Sequence, residues 1–126
     1  MAKRDIRMTA EEVTAFLQPL SLATIVAGAP GEAPHAAMAD FRCKDGDMTF
    51  TLGAHTQAAR ALAADGRVCC IVDQRPFETA QQSYYDTKAA MLHGHARPIE
   101  GAPTGKASFA LTVEKVVSFD FEKLRA

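Results

Sequence analysis

The stretch LGAHTQAARALAADGRV, residues 52–68, combines a strand end, a polar turn, a short alanine-rich helix and the entry to another strand. Thr56 is a good N-cap for a helix over Gln57 to Ala64, and Gly66 stands where a glycine commonly ends a helix. A turn from a strand into a helix N-terminus is a frequent phosphate site. Here the turn has no lysine and no glycine-rich loop, and Arg60 is the cation on the helix. The stretch therefore predicts either a cofactor phosphate site with few cations or an ordinary connection.

Apolar and β-branched runs on either side of this stretch predict strands. In one of them Met48, Phe50 and Leu52 point to one face, because side chains alternate along a strand. The pair Asp45-Gly46 predicts a tight hairpin turn just before that strand. Six strands are expected in all, over residues 21–27, 35–43, 48–52, 68–72, 87–99 and 109–121, and the last could break near Glu114-Lys115.

Two further signals complete the outline of the fold. Thr9 and Glu12 have the spacing of a capping box and predict the start of a leading helix that Pro19 closes. Gly94 interrupts the fifth strand and indicates a bulge or a close backbone approach. Residues 74–85 read as irregular. Six strands joined mostly by hairpins, with two or three helices, predict a closed or nearly closed β-barrel, mainly β in class.

Composition narrows the class of protein. The 126 residues fit one domain, 1–126, and 48% of them are hydrophobic, so a core can form. A net charge of −1 does not favour nucleic-acid binding. Neither a signal peptide nor a membrane-spanning run is evident. An odd number of cysteines without CxxC spacing predicts neither a disulfide framework nor zinc, so we expect a soluble, cytoplasmic protein.

Individual reactive side chains carry little signal. His93 and His95 share a strand face and could offer two imidazoles to a metal, but no third ligand is marked, so no metal site is expected. His55 precedes the N-cap, where it could bind a ligand oxygen or cap the turn. Cys69 and Cys70 lie in an apolar strand with no base marked nearby, which predicts inert thiols. The tyrosines at 84 and 85 could stack on a flat ring or pack at an interface.

The order and spacing of several short motifs resemble the FMN-binding split-barrel proteins, the pyridoxamine 5′-phosphate oxidase-like superfamily. The motifs are MTAEEVTAFL, SLATIVAG, DGDMTFT, HTQAARALAADGRV, MLHGHARPIEG and LTVEKVVSFDF, and they cover nearly the whole chain. The resemblance implies a six-stranded antiparallel split β-barrel that forms a homodimer, with FMN in the groove between the subunits and a small-molecule substrate. No nucleic acid and no membrane would be involved.

The same resemblance implies a set of cofactor contacts. The second strand would contact the flavin through its backbone, the third would end in an aromatic-Thr pair, and the turn would offer a hydroxyl to the phosphate. Gln57 and Ala58 stand where basic residues are usual, and His35 stands at a further basic position of the family. The predicted cofactor-binding residues are Ala37, Met38, Ala39, Asp40, Phe50, Thr51, His55, Thr56, Gln57 and Arg60.

Departures from the family pattern leave alternatives open. Asp40 stands at the position where the pyridoxamine phosphate oxidase carries a lysine, and Ala89 stands near the position of a family glutamine that touches the flavin. Oxidation of pyridoxamine phosphate is therefore not expected. LGAHT also resembles a motif of the haem-binding branch of the fold. Three alternatives to FMN therefore remain open: a deazaflavin, haem, or a dimeric domain without a cofactor. No side chain is marked as a catalytic acid or base, so the expected activity is that of a flavin oxidoreductase with an undefined substrate.

Overall fold

Six antiparallel strands close into a barrel in the order β1-β2-β3-β6-β5-β4 in a computed structural model that describes residues 5–74 and 86–125. The strands are β1 Leu22–Ala27, β2 His35–Lys44, β3 Asp47–Gly53, β4 Arg67–Gln74, β5 Lys88–Ile99 and β6 Lys106–Asp120. The helices are α1 Ala10–Leu17 and α2 Gln57–Ala64, and a short 3-10 turn, Phe121–Leu124, follows β6. The prediction of a six-stranded antiparallel split barrel is confirmed.

Alternate side chains of each strand point into the barrel and form the core. Phe50 of β3 pairs with Phe109 of β6, and their rings stack with centroids 5.4 Å apart. Helix α2 packs against β1, β2 and β5, and it buries Ala58, Ala59 and Leu62. These small and branched side chains let the helix sit directly on the barrel.

Local capping and turn signals act as the sequence predicts. The Thr9 hydroxyl accepts a hydrogen bond from the Glu12 N–H at 3.1 Å, and the Thr9 N–H donates to Glu12 Oε1 at 2.9 Å. Asp45 and Gly46 both have positive φ, 51° and 87°, which is the backbone of a type I′ hairpin turn. The capping box and the β2–β3 hairpin are therefore confirmed.

The last strand is longer than predicted. It begins at Lys106 rather than Phe109 and continues unbroken through Glu114 and Lys115. Its register against β5 shifts there: Val113 pairs with Gly94 and Lys115 with His93, so Glu114 is the extra residue of a bulge. The strand stays continuous because a bulge absorbs one residue without ending the pairing.

Two glycines are required by close backbone approach. A Cβ at Gly94 would overlap the Thr112 carbonyl, and a Cβ at Gly66 would overlap the Ala96 carbonyl. The expectation for Gly94 is confirmed. Helix α2 ends at Ala64, with Asp65 as its extended C-cap directly before Gly66, and the Gly66 carbonyl accepts from the Ala96 N–H at 2.7 Å.

The predicted irregular segment, with the tyrosines at 84 and 85, lies outside the described residues apart from Gln74, which ends β4. Among the helices of the described ranges, none has the length and apolar character needed to cross a membrane.

Gly94→Ala is expected to lower the free energy of unfolding by about 2 kcal/mol or more, because β5 and β6 must separate to admit a methyl group. Gly53→Ala is the matched control: its Cβ would meet only Thr56 Cγ2, at 3.4 Å. That variant should stay within about 1 kcal/mol of the parent. Urea unfolding of both measures the difference, and equal losses would contradict the proposed collision at Gly94.

Candidate functional site

The turn from β3 into α2 is held by the side chain of Thr56. Its hydroxyl donates to the Gly53 carbonyl at 2.8 Å and accepts from the Ala59 N–H at 3.1 Å. A hydroxyl has one proton to give, so Thr56 can donate to a phosphate only by releasing Gly53. The N–H groups of Gln57 and Ala58 have no intrahelical acceptor because the helix begins there. An anion at this turn would therefore be held chiefly by backbone N–H groups.

The two positions where the resemblance places basic residues differ in exposure. Gln57 is exposed, as is His55, and both side chains are accessible to a ligand at the turn. Ala58 is 1% exposed and belongs to the core. A lysine at position 58 would bury its ammonium group, so this chain can carry a cation at 57 but not at 58.

The predicted flavin strand presents alternate residues to the outside. Met38 and Asp40 are exposed on β2, whereas Ala37 and Ala39 turn toward the core. Asp40 pairs directly with Thr51 of β3. A ligand on this outer face can therefore touch the side chains of Met38 and Asp40, but it can reach Ala37 and Ala39 only through the backbone.

The predicted aromatic-Thr pair is split by the same alternation. Phe50 is 1% exposed and stacks on Phe109, so its ring is part of the core and cannot touch a ligand outside the barrel. Thr51 lies on the outside, and its hydroxyl is 2.6 Å from the Ser108 hydroxyl of β6. Ser108 is a site residue that the sequence did not reveal, because the β3–β6 pairing joins residues 57 positions apart.

Arg60 is an exposed residue of α2. It lines a hollow of about 480 Å³ together with Lys106, Ser108 and Glu100. His35 begins β2, paired with Ala27 of β1, and is half-buried. The structure thus brings Met38, Asp40 and Thr51 together on one face, and it places Arg60 in a hollow that adjoins this face at Ser108.

A row of cross-strand neighbours on the outside of the barrel is largely apolar. Met38 pairs with Thr24, Thr24 with Ile71, Ile71 with Met91, and Met91 with Val117, so the row crosses five strands. Met38 is 65% exposed, and this is a large apolar side chain to leave in water. The sequence did not predict this row because β1 pairs with β4, and β2, β3 and α2 separate these two strands along the chain.

A thiol and an imidazole meet on the outer face of β4 and β5. Cys69 Sγ lies 3.9 Å from His93 Nε2, so the expectation that no base stands near this cysteine is wrong. Burial nevertheless raises the pKa of Cys69, and it raises the pKa of Cys70 to about 12. Both thiols therefore stay protonated near neutral pH, which keeps them poor nucleophiles.

The paired histidines of β5 do not assemble a metal centre from described residues. His93 and His95 lie on the outer face of β5, opposite Cys69 and Arg67 of β4. Within residues 5–74 and 86–125, no three His, Cys, Asp or Glu side chains are grouped so as to hold a metal ion.

Several solved protein structures have a fold similar to that of this chain. The sequence matches no protein-family profile and no curated protein. A conserved hypothetical protein of Mycobacterium tuberculosis matches the whole chain and 93% of its own length, with a TM-score of 0.77 and 18% identity. A FAD-binding protein of Mesorhizobium loti matches 92% of this chain and 96% of its own length, with a TM-score of 0.70 and 14% identity.

The chain is a split β-barrel. A heme-binding protein of Mycobacterium smegmatis shares the fold with a TM-score of 0.65 and 15% identity; the match covers 94% of this chain and 61% of that protein. Candidate pyridoxamine 5′-phosphate oxidases share it as well. At these identities the comparisons establish the fold of this split barrel.

Thr56→Ala should lower the free energy of unfolding by about 1 kcal/mol, because the Ala59 N–H loses its acceptor and the turn loses its bond to Gly53. Thr56→Ser retains the hydroxyl and should recover most of that loss. Thermal unfolding of the three proteins without added ligand tests the structural role. Equal stabilities of the alanine variant and the parent would contradict it.

Proposed function

We propose that this split barrel is a homodimeric FMN-binding protein and a flavin-dependent oxidoreductase. The observation that carries the proposal is the continuous outer surface from β2 to the start of α2. Met38, Asp40 and Thr51 line it, and it leads to the N–H groups at the first two helical positions. A FAD-binding protein with the same fold supports a flavin as the ligand. We place the protein in the cytoplasm, where free thiols stay reduced.

The donors at the turn suit a phosphate, though without a full set of cations. A helix N-terminus stabilises an anion by about 0.3–1 kcal/mol, whereas each charge-assisted hydrogen bond contributes roughly 1.5–3 kcal/mol. Gln57 and His55 add polar groups but no fixed charge. We therefore expect reversible FMN binding rather than a cofactor that survives purification at full occupancy.

The chemistry of the proposed reaction belongs to the flavin, which supplies hydride or electron transfer when bound. The chain's own residues position the ring: Met38 offers an apolar contact, and Thr51 is held by Ser108 at 2.6 Å. Asp40 places a carboxylate on the same face, which disfavours an anionic substrate group there. The substrate class stays open, and no catalytic acid or base is proposed.

The apolar row defines the proposed dimer interface. The row lies on five of the six strands of a closed barrel, so its side chains point outward in directions that turn around the barrel, and a partner can cover only part of the row. A standard interface buries about 800 Å² on each partner, so neighbouring outward side chains of the same strands would also contribute. Met38 belongs both to this row and to the flavin face. A second copy seated on the row would therefore border the flavin face and form a groove between subunits.

Haem is the second candidate, on the observation that His55 is exposed and unengaged. Its imidazole makes no side-chain hydrogen bond or ion pair within residues 5–74 and 86–125. A heme-binding protein shares the fold. A Soret band that is lost in His55→Ala would favour haem over flavin. A domain without any cofactor would show neither a Soret band nor quenching of added FMN.

Gln57→Arg should lower the Kd for FMN by about ten- to hundredfold, because it adds one charge-assisted contact at the phosphate. Quenching of flavin fluorescence on titration measures the affinity. Ala64→Arg is the matched control, since it adds the same charge at the exposed C-terminal end of the same helix. It should change the Kd by less than about threefold.

Three results would contradict the FMN proposal. The first is FMN fluorescence that stays unquenched in both the parent and Gln57→Arg. The second is equal tightening of FMN binding by the two arginine variants, and the third is much tighter binding of a deazaflavin than of FMN. The last result would keep the site but change the cofactor.

Met91→Asp should convert the protein from two chains to one, because it places a carboxylate within the apolar row. Sedimentation equilibrium distinguishes a mass of 13.5 kDa from twice that value. Thr112→Asp is the control on an exposed outward position of β6 and should leave the dimer intact. A parent protein that sediments as a single chain would overturn the proposed dimer.

A further inference from the structure

The hollow lined by Arg60 lies between α2 and the adjoining ends of β5 and β6. We call it the α2–β6 hollow. Its volume of about 480 Å³ falls within the range of small-molecule sites. Apolar groups make up much of its lining: Ala54, Ala59, Ala63, Ile99, Ala102 and Phe109. Met38, Asp40 and Gln57 do not line it, and Ser108 is where it adjoins the proposed flavin face.

Two cations stand in this apolar surrounding. Arg60 and Lys106 are exposed, and neither makes an ion pair or a side-chain hydrogen bond with another residue in the described ranges. Lys106 pairs with Gly53, where β3 ends, and its N–H is bonded to the Pro103 carbonyl at 2.9 Å. The backbone on which Lys106 stands is therefore held, while its ammonium group is available.

Polar groups at the edge of the hollow limit what it can accept. The Ser108 hydroxyl lies there, 2.6 Å from the Thr51 hydroxyl. Glu100 supplies one carboxylate against the two cations, so the fixed charge of the lining is net positive. Positive charge beside a partly apolar surface attracts an anion and holds its apolar body by burial.

We propose that the α2–β6 hollow binds a small organic anion, a carboxylate or a phosphate monoester attached to an apolar body. Arg60 and Lys106 hold the anionic group, and the alanine-lined surface of α2 receives the apolar body. This binding site goes beyond the proposed flavin site and does not require it to be occupied.

The experiment compares 2-naphthoate with its neutral isostere 2-naphthamide by titration followed through amide NMR shifts. The parent should bind 2-naphthoate more tightly, with shifts concentrated at Ala63, Ala102 and Ser108. Arg60→Gln and Lys106→Gln should each weaken 2-naphthoate about three- to tenfold and leave 2-naphthamide unchanged. A parallel titration with 2-naphthyl phosphate separates a phosphate ligand from a carboxylate.

Two further variants sharpen the test. Lys115→Gln removes an exposed cation from the same strand but outside the hollow, and it should leave both affinities unchanged. Ala63→Leu fills the hollow from an exposed helix position and should weaken the anionic and neutral ligands alike. The native NMR spectrum of each variant shows that it is folded.

The proposal is overturned if the parent binds none of the three compounds, or binds 2-naphthamide as tightly as both anions. It is also overturned if Lys115→Gln weakens 2-naphthoate as much as Lys106→Gln does. FMN titrations of the same variants distinguish failure of this proposal from failure of the flavin proposal, because 2-naphthoate binding can still be measured in a protein that does not bind FMN.

Discussion

The pairing of β1 with β4 closes the barrel, and the division between inside and outside depends on it. Thr24 to Ala27 pair with Ile71 to Val68 across the end of the sheet. Closure removes both sheet edges and obliges every strand to send alternate side chains into one core. Because the inner positions are then occupied by packing, any ligand or partner must be recognised by the remaining outward positions.

The division between inward and outward positions separates the proposed cofactor residues into buried residues and residues that a ligand can reach. Phe50 and Thr51 are adjacent in the chain, yet one stacks inside the barrel and the other meets Ser108 outside it. Ala58 likewise belongs to the core, while its neighbour Gln57 is exposed. Of the two positions where the resemblance places basic residues, only 57 can therefore carry an exposed cation. Under the flavin proposal, this is the position at which a cation would strengthen phosphate binding.

The outer surface carries three distinct kinds of chemistry on one small barrel. The β2–β3 face offers hydroxyl and carboxylate groups beside an exposed methionine, the row through Met91 is apolar, and the α2–β6 hollow holds two cations. On the outer face of β4, burial raises the pKa of Cys69 even though His93 is close. A neutral thiol carries no charge, so Cys69 leaves the neighbouring apolar row suited to packing against another protein surface.

The sequence by itself determined the local elements of this protein. The Thr9 and Thr56 caps, the Asp45-Gly46 turn and the strand alternation depend on neighbours a few residues apart, so the sequence alone predicts them. The order of these elements was also enough to predict the six-stranded barrel and the position of the turn between β3 and α2.

Only the tertiary structure decided which residues meet across the barrel. Register between strands distant in sequence put Ser108 beside Thr51, His93 beside Cys69, and Met38, Ile71 and Met91 in one row. It also brought Gly66 against the Ala96 carbonyl and placed Arg60 in a hollow with Lys106. The reason is physical: cross-strand pairing and helix docking depend on burial summed over the whole chain, which no local spacing encodes.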